Sequence, residues 1–239
     1  MKGRFVLGSG ELFVEGNIYA DKSAIILAWL LKIGIDREKF SLREVAKEGG
    51  VSVGLVQKVF SHLVLHGLIQ SEGIRTSKRF SIKKPSVLLK SWLEHYSIVK
   101  KCKIWTYSSG FSNREELLKE LKKSGLQSQI ALALHSAAET YGCKNTNLTT
   151  LELYLLGSEA RESLEYALEL RPQERGYEVL LVEPYYKSFL KTGSEVAHLK
   201  LAPALLTFLD LYHFPLRGLE QAEFMAERIP ELKRIYRKE

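Results

Sequence analysis

The sequence predicts a mixed α/β (α+β) protein in which a group of N-terminal helices precedes a larger layer of strands and helices. Three observations support this prediction. Apolar residues recur at helical spacing in the first hundred residues, strand-like and helix-like segments alternate from residue 103 to 182, and two helical segments close the chain. Alternating strands and helices are typical of layered α/β and α+β folds.

The composition is that of an ordinary folded protein, because 45% of the 239 residues are apolar and 26% are charged. No apolar run approaches the roughly 18 residues of a membrane span. The first residues, Met1 to Phe5, lack the apolar core of a signal peptide. We therefore expect a cytoplasmic protein without a membrane partner, in which Cys102 and Cys143 are free thiols.

The positive charge is confined to one part of the chain. Residues 1–100 contain 16 Lys and Arg against 9 Asp and Glu, whereas residues 101–239 contain 19 of each. The whole net charge of +7 therefore lies in the first part. A local basic excess suits a module that binds a polyanion, although a basic surface that only aids solubility fits the charge equally well.

The first 34 residues predict an N-terminal strand or arm followed by one helix. The arm covers residues 1–20 and contains short apolar runs between glycines. Asp21 is the predicted N-cap of the first helix, and Gly34 is the predicted residue that ends it.

Two further helices are predicted on either side of a glycine turn. The segment Ser41 to Glu44 has the S-x-x-E form of a capping box, and it opens a second helix that ends at Gly49-Gly50. Ser52 can cap a third helix that ends near Gly67. Two helices joined by a short glycine-containing turn are the signature of a helix-turn-helix.

The third helix has two distinct faces. The apolar face consists of Leu55, Val56, Val59, Phe60, Leu63 and Val64. The opposite face carries Gly54, Gln57, Lys58 and Ser61, without an acidic residue. This pattern favours a recognition helix for DNA, with a plain surface helix as the alternative.

A basic hairpin, or wing, is predicted directly after the third helix. Two short strands from residues 68 to 82 flank a polar tip, and a connecting helix follows from Pro85 to Tyr96. From Ser71 to Lys90 there are six cations against the single acid Glu72. Residues 1–100 are therefore predicted to form a winged helix-turn-helix DNA-binding domain. The predicted DNA-binding residues are Arg43, Ser52, Gly54, Gln57, Lys58, Ser61, Arg75, Lys78, Arg79 and Lys83.

Residues 101–239 are predicted to form a larger α/β domain that serves as an antitoxin or effector unit. The predicted strands cover residues 103–107, 149–155 and 177–182, and the predicted helices cover residues 113–124, 129–141 and 161–170. The closing helices cover residues 202–213 and 219–238.

The sequence lacks the residue patterns of a catalytic site. The six histidines are scattered without partners at metal-ligand spacing, so no metal site and no cofactor are predicted. Gly157-Ser158 follows a predicted strand, as in nucleotidyltransferases, but no D-x-D pair follows to hold magnesium. We therefore predict that the protein is not an enzyme.

Several segments resemble the AbiEi-type regulators, the antitoxins of type IV toxin-antitoxin and abortive-infection systems. The resemblance is carried by residues 201–211 (LAPALLTFLDL), 217–223 (RGLEQAE), 177–184 (YEVLLVEP) and 134–138 (LHSAA). It implies a protein that binds double-stranded DNA, represses its own operon and has a nucleotidyltransferase toxin as partner. The long basic wing and the extended C-terminal end depart from the family pattern.

The resulting hypothesis is a DNA-binding transcriptional regulator, an autorepressor of the AbiEi kind, with the closing helices as a surface that could form a homodimer. The alternatives are an RNA-associated protein, a protein-interaction module without sequence-specific DNA binding, and a degenerate nucleotidyltransferase. The RNA alternative lacks an aromatic platform for base stacking, because Phe60 and Phe80 fall at apolar positions.

Overall fold

The computed structural model of the protein describes residues 17–74 and 77–237. Helices and one hairpin make up its N-terminal part. These elements are α1 (Asp21–Lys32), α2 (Leu42–Gly49), α3 (Val53–Leu65), β1 (Ile69–Glu72), β2 (Arg79–Ile82), α4 (Pro85–His95) and α5 (Ile98–Lys101). The strands β1 and β2 pair antiparallel, from Ile69 opposite Ile82 to Glu72 opposite Arg79.

A mixed sheet of seven strands forms the rest of the protein, together with helices. In chain order the elements are β3 (Lys103–Ser108), α6 (Arg114–Lys123), β4 (Ile130–Leu132), α7 (Leu134–Thr140), β5 (Leu151–Leu155), α8 (Ala160–Ala167), β6 (Arg171–Pro172), β7 (Val179–Glu183), α9 (Lys187–Leu190), β8 (Ser194–Val196), β9 (Leu199–Leu201), α10 (Ala204–Tyr212), α11 (Gly218–Arg228) and α12 (Pro230–Lys233). The strand order is β6-β3-β7-β5-β4-β9-β8. The pairs β5/β7 and β4/β9 are parallel, and the other pairs are antiparallel.

The two faces of the sheet belong to different apolar cores, because side chains alternate along a strand. On β7, Val179 and Leu181 face the core that includes Leu117 of α6 and Leu164 of α8. Leu180 and Val182 belong to the other core, which continues through α10 into α1, α3 and α4. The N-terminal helices and the sheet thus share one continuous apolar core.

The sequence correctly predicted the caps of α2 and α3. The Ser41 hydroxyl accepts from the amide of Glu44 and the Glu44 carboxylate accepts from the amide of Ser41, which completes the capping box. Gly50 then has φ 63°, in the left-handed region that glycine adopts at little cost. Ser52 caps α3 by accepting from the amide of Leu55 at 3.2 Å.

The predicted N-cap of α1 was wrong by one residue, whereas its predicted end at Gly34 was correct. Ala20 is the N-cap, and Asp21 lies in the first turn, where its carboxylate accepts from the backbone amide of Ser188 at 2.7 Å. At the other end Ile33 is the C-cap and Gly34 begins a short 3-10 turn. A Cβ at Gly34 would lie 3.2 Å from the Trp29 ring, which is closer than an ordinary van der Waals contact.

Two predicted helices in the larger part were also wrong in extent. Residues 129–141 do not form one helix, because residues 130–132 are the strand β4 and only Leu134–Thr140 are helical. Ala133 separates the two elements, and Leu134, the first residue of the helix, has φ 46°. The last helix ends at Arg228, and Pro230 opens the separate turn of α12. The predicted arm lies largely outside the described residues, of which Ile18 and Tyr19 are buried.

Cys102 and Cys143 are free thiols, the first half-buried and the second buried. Within residues 17–74 and 77–237, no helix has both the length and the apolar character that crossing a bilayer would require.

Candidate nucleic-acid interface

Helix α3 buries one face and exposes the other, as its sequence predicted. Val56, Val59, Phe60 and Leu63 are buried. On the opposite face Gly54, Gln57 and Lys58 are exposed and Ser61 is half-buried. The Gln57 amide donates to the Ser61 hydroxyl at 3.0 Å, so the two side chains lie side by side on the outer surface.

No acidic residue occurs between Glu48 and Glu72, a stretch that contains the whole of α3. The acids that flank this stretch are held by cations. The Glu48 carboxylate accepts from the Trp29 indole at 2.9 Å and from Arg37 at 3.0 Å, and both contacts lower its pKa. The Glu72 carboxylate lies 2.7 Å from the Lys39 ammonium, which lowers the pKa of Glu72.

Several cations around α3 are exposed and have no acidic partner among residues 17–74 and 77–237. Among the residues that the structure describes, no carboxylate lies within salt-bridge distance of Arg43, Lys58, Lys83 or Lys84. Because the neighbouring acids are already paired, the surface around α3 keeps a net positive charge. Such a surface attracts a polyanion. The polyanion can bind these cations without first breaking ion pairs within the protein.

Backbone hydrogen bonds and aromatic ring contacts hold the hairpin against the helical part. Phe40 and Phe80 exchange two backbone hydrogen bonds, of 2.9 Å from the Phe40 amide and 2.8 Å from the Phe80 amide. The Phe60 ring packs edge-on between the rings of Phe40 and Phe80. Phe60 is 0% and Phe80 2% exposed, so neither ring is available as a stacking platform for bases.

The predicted wing cations differ in their surroundings. The Lys78 ammonium lies 5.5 Å from the centre of the Phe80 ring. The Arg79 guanidinium lies 3.3 Å from the Glu44 carboxylate, whose pKa is lowered first by hydrogen bonds to Ser41 and further by the charge of Arg79. Lys83 is exposed just after β2. Arg75 lies outside the described residues.

Most of the predicted residues are exposed on the N-terminal part. Arg43 lies in the first turn of α2, Ser52 caps α3, and the outer face of α3 is exposed except for half-buried Ser61. Arg79 differs from the other predicted cations because it already forms an ion pair with Glu44, which joins the hairpin to α2. Sequence reasoning missed Phe40 and Lys39, whose partners lie 40 and 33 positions away along the chain.

The larger part contains two buried carboxyl groups with satisfied hydrogen bonds. Glu152 accepts from the amide of Ser136 at 2.9 Å, from the Ser136 hydroxyl at 2.6 Å, from Thr150 and from Tyr177. Asp210 accepts from the hydroxyls of Tyr96 and Tyr154, and burial raises its pKa to about 7. These groups act within the protein interior and hold elements together.

Among the residues that the structure describes, the histidines and acids do not gather into a ligand set. Within the described ranges, no group of three or more His, Cys, Asp or Glu side chains could hold a metal ion. Gly157-Ser158 follows β5 after one residue, Leu156, at the strand end that the sequence indicated. In comparisons with protein-family models, with curated proteins and with solved structures, nothing matches this chain.

Proposed function

We propose that this protein is a DNA-binding transcriptional regulator. In this proposal α2 and α3 form a helix-turn-helix, α3 is the recognition helix, and the β1–β2 hairpin is the wing. The observation that carries the proposal is the outer face of α3, which presents Gln57 and Lys58 beside small residues, within a stretch free of acidic residues.

The dimensions and chemistry of α3 suit the major groove. A helix of 13 residues is roughly 20 Å long, and the major groove of B-DNA, about 12 Å wide, admits an α-helix. Gln57 can bind the edge of an adenine through two hydrogen bonds, and Lys58 can donate to guanine or to a phosphate. Gly54 lacks a side chain, which allows the backbone at the start of α3 to approach the duplex closely.

The surrounding cations fit contacts to the phosphate backbone. Arg43 on α2, the Ser52 hydroxyl and Lys83 after the hairpin are exposed. Contacts of this kind position a protein on the duplex without reading its sequence. We propose that Lys78 of the wing and, from its place in the sequence, Arg75 contact the backbone or a minor groove.

On the resemblance alone, we propose in addition that the protein represses its own operon and that its larger part binds a nucleotidyltransferase toxin. A homodimer would place two recognition helices on half-sites about one helical turn apart. Co-purification with the product of a neighbouring toxin gene would test the antitoxin role. If the two proteins form no complex, the antitoxin role is excluded.

The test of DNA binding uses the full chain. Duplexes are selected from a random pool by the wild-type protein, and affinities are then measured for the selected and for a scrambled duplex. We expect the selected duplex to bind at least roughly a thousandfold more tightly, as is usual for specific regulators. The Lys58→Gln variant should weaken binding, whereas Lys119→Gln on α6 removes the same charge far from the proposed surface and should not.

Failure to enrich any sequence, with equal affinity for both duplexes, would contradict the proposal of a sequence-specific regulator. Tighter binding to an RNA duplex of the same sequence would favour the RNA-associated alternative. Loss of affinity in Lys119→Gln equal to that in Lys58→Gln would remove α3 from the interface.

A further inference from the structure

A cleft of about 900 Å³ lies at the carboxyl ends of the parallel strands β5 and β7. Gly157 and Ser158, just after β5, and Pro184, just after β7, line it. The cleft is large enough for a small-molecule ligand, for which sites of about 300 to 1,000 Å³ are usual. In sheets with parallel strands, ligands commonly bind beyond the carboxyl ends of the strands.

Cations outnumber acids in the lining of this cleft. The cations are Lys103, Arg161, Lys187, Lys191 and Lys200, and the acids are Glu162, Glu183 and Glu195. Glu183 is shared by two of these lysines, since its carboxylate lies 3.1 Å from the Lys103 ammonium and 3.2 Å from that of Lys187. The pair of lysines around one carboxylate leaves a local excess of positive charge.

Two of the lysines have no acidic partner in the part of the chain that the structure describes. Lys191, just after α9, and Lys200, on β9, are both exposed and form no ion pair there. Glu195 lies opposite Lys200 in the β8–β9 register without reaching salt-bridge distance. Both ammonium groups therefore remain available to an anion.

The α9 segment that lines the cleft is also in contact with the N-terminal helices. Lys187 and Leu190 line the cleft, while the amide of Ser188, between them, donates to the Asp21 carboxylate of α1 at 2.7 Å. The Phe189 ring packs 6.0 Å from the Trp92 ring of α4. One short helix thus connects the cleft with two helices of the proposed DNA-binding part.

Tyr186, at the start of α9, strengthens this connection. Its hydroxyl accepts from the Trp92 indole at 2.8 Å and donates to the backbone carbonyl of Tyr19 at 3.0 Å. After α9 the chain is held against the sheet, because a Cβ on Gly193 would lie 2.1 Å from the Leu201 carbonyl oxygen. A small shift of α9 would therefore alter its contacts with both α1 and α4.

We infer that this cleft is an effector site for a small phosphorylated anion carrying several negative charges, whose binding alters DNA affinity through α9. Lys191 and Lys200 provide the main contacts to the phosphates, assisted by Lys103 and Lys187. The regulatory part of this inference rests on the proposed function, whereas ligand binding in the cleft does not.

Calorimetry on the full chain tests the ligand, with sodium tripolyphosphate and ATP as probes in separate titrations. We expect one site of about millimolar affinity or tighter. The Lys191→Gln/Lys200→Gln double variant should bind roughly tenfold more weakly, because two charge-assisted contacts are lost. The control variant Lys119→Gln/Lys122→Gln removes the same charge from α6 and should bind like the wild type. Tighter binding of ATP than of tripolyphosphate would indicate that the site also recognises the base. Equal binding of the two probes would indicate that the site recognises only the phosphates.

Absence of binding for both probes, or an affinity that the double variant at Lys191 and Lys200 leaves unchanged, would overturn the proposed site. Hydrogen exchange tests the coupling independently of DNA. We expect ATP to change the exchange of amides in α1 and α4 in the wild type and to leave them unchanged in the double variant. An effect confined to the sheet would overturn the coupling through α9.

DNA affinity, measured with and without probe at fixed ionic strength, then tests regulation. We expect a change of roughly fivefold or more in the wild type and none in the double variant. A probe that only competed with DNA for the α3 surface would act equally on both proteins, which would overturn the regulatory inference. A chain that binds the probe but no DNA would contradict the proposed function and leave the site standing.

Discussion

The hydroxyl of Tyr96 donates a hydrogen bond of 2.6 Å to the carboxyl group of Asp210. Tyr96 follows α4 in the N-terminal part, whereas Asp210 lies on α10, 114 positions along the chain. Asp210 is 0% exposed, and it also accepts from Tyr154 of β5. One buried carboxyl group therefore joins the end of the connecting helix, the sheet and a closing helix.

The raised pKa of Asp210 predicts a pH-dependent stability. Burial raises this pKa from its ordinary value of 3.8 to about 7, so the folded protein binds a proton that the unfolded chain has released. The contribution of Asp210 to stability is complete below pH 4 and is lost as the pH rises through about 7. The loss has a maximum slope of about 1.4 kcal/mol per pH unit.

The Asp210→Asn variant should remove this dependence. Between pH 4.5 and 7 we expect the unfolding free energy of the wild type to fall, relative to that of the variant, by on the order of 1 to 4 kcal/mol. Urea unfolding at several pH values measures it. The control variant Asp36→Asn should keep the wild-type dependence over this range, since Arg234 lowers the pKa of Asp36 and any effect of that carboxylate falls below its ordinary pKa of 3.8. Parallel curves for wild type and Asp210→Asn would contradict the prediction.

The proposed role of Gln57 predicts a loss of specificity rather than of general affinity. Replacement by Ala removes the amide that can bind adenine through two hydrogen bonds, which should cost roughly 1 to 3 kcal/mol of discrimination. The measurement is the ratio of affinities for a selected and a scrambled duplex. Gln127→Ala, in the turn that follows α6, is the matched control because it lies outside the proposed DNA surface. Equal weakening on both duplexes would exclude base reading by Gln57.

The wing cations predict a salt-dependent contribution to binding. Changing Arg75, Lys78 and Arg79 together to Ala should lower the slope of log K against log salt by about one unit per lost phosphate contact. Because the Arg79 guanidinium already pairs with Glu44, we expect the slope to fall by about two units and not by about three.

A triple change on α6 provides the control for this slope. Lys119, Lys122 and Lys123 lie on the helix that packs on the opposite face of the sheet from the N-terminal helices, and their change to Gln alters the net charge equally. If the control lowers the slope as much as the wing variant, the effect is one of overall charge, and the wing does not touch the duplex.

The N-terminal helices were predictable because their signals are local. Ser41 and Glu44 are three residues apart, and a capping box depends on nothing beyond that turn. The strand β4 was not predictable in the same way. Ile130 to Leu132 are buried between β5 and β9, and a short apolar run without alternation fits a buried helix as well as a buried strand. The end of α11 was signalled by Pro230, since the residue before a proline avoids helical geometry.

For the candidate interface, the sequence predicted which side chains α3 exposes but not how its neighbours are paired. The Glu44 to Arg79 and Lys39 to Glu72 contacts join residues more than 30 positions apart, which no local pattern encodes. The same is true of the cleft, whose lysines come from β3, α9 and β9. Long-range pairing therefore decides which cations remain free for a ligand.

Gly50, the C-cap of α2, and Gly54, in the first turn of α3, predict opposite effects on stability when changed to Ala. Neither has a heavy atom within 4 Å of an added Cβ, so only the backbone differs. Gly50 has φ 63°, where alanine costs about 1 to 2 kcal/mol. Gly54 lies inside α3, where alanine should stabilise the protein by about 0.5 to 1 kcal/mol.

Gly54→Ala therefore separates stability from DNA binding. If the start of α3 approaches the duplex closely, the added methyl group should weaken DNA binding by roughly tenfold while the protein unfolds at a higher urea concentration. Gly50→Ala should do the reverse, with lower stability and binding nearly unchanged once measured well below its unfolding transition. Thermal and urea unfolding, together with titration of a labelled duplex, measure both quantities on the same samples. A Gly54→Ala protein that is more stable and binds DNA as tightly as the wild type would move the contact surface away from the start of α3, because a close backbone approach leaves no room for the methyl group.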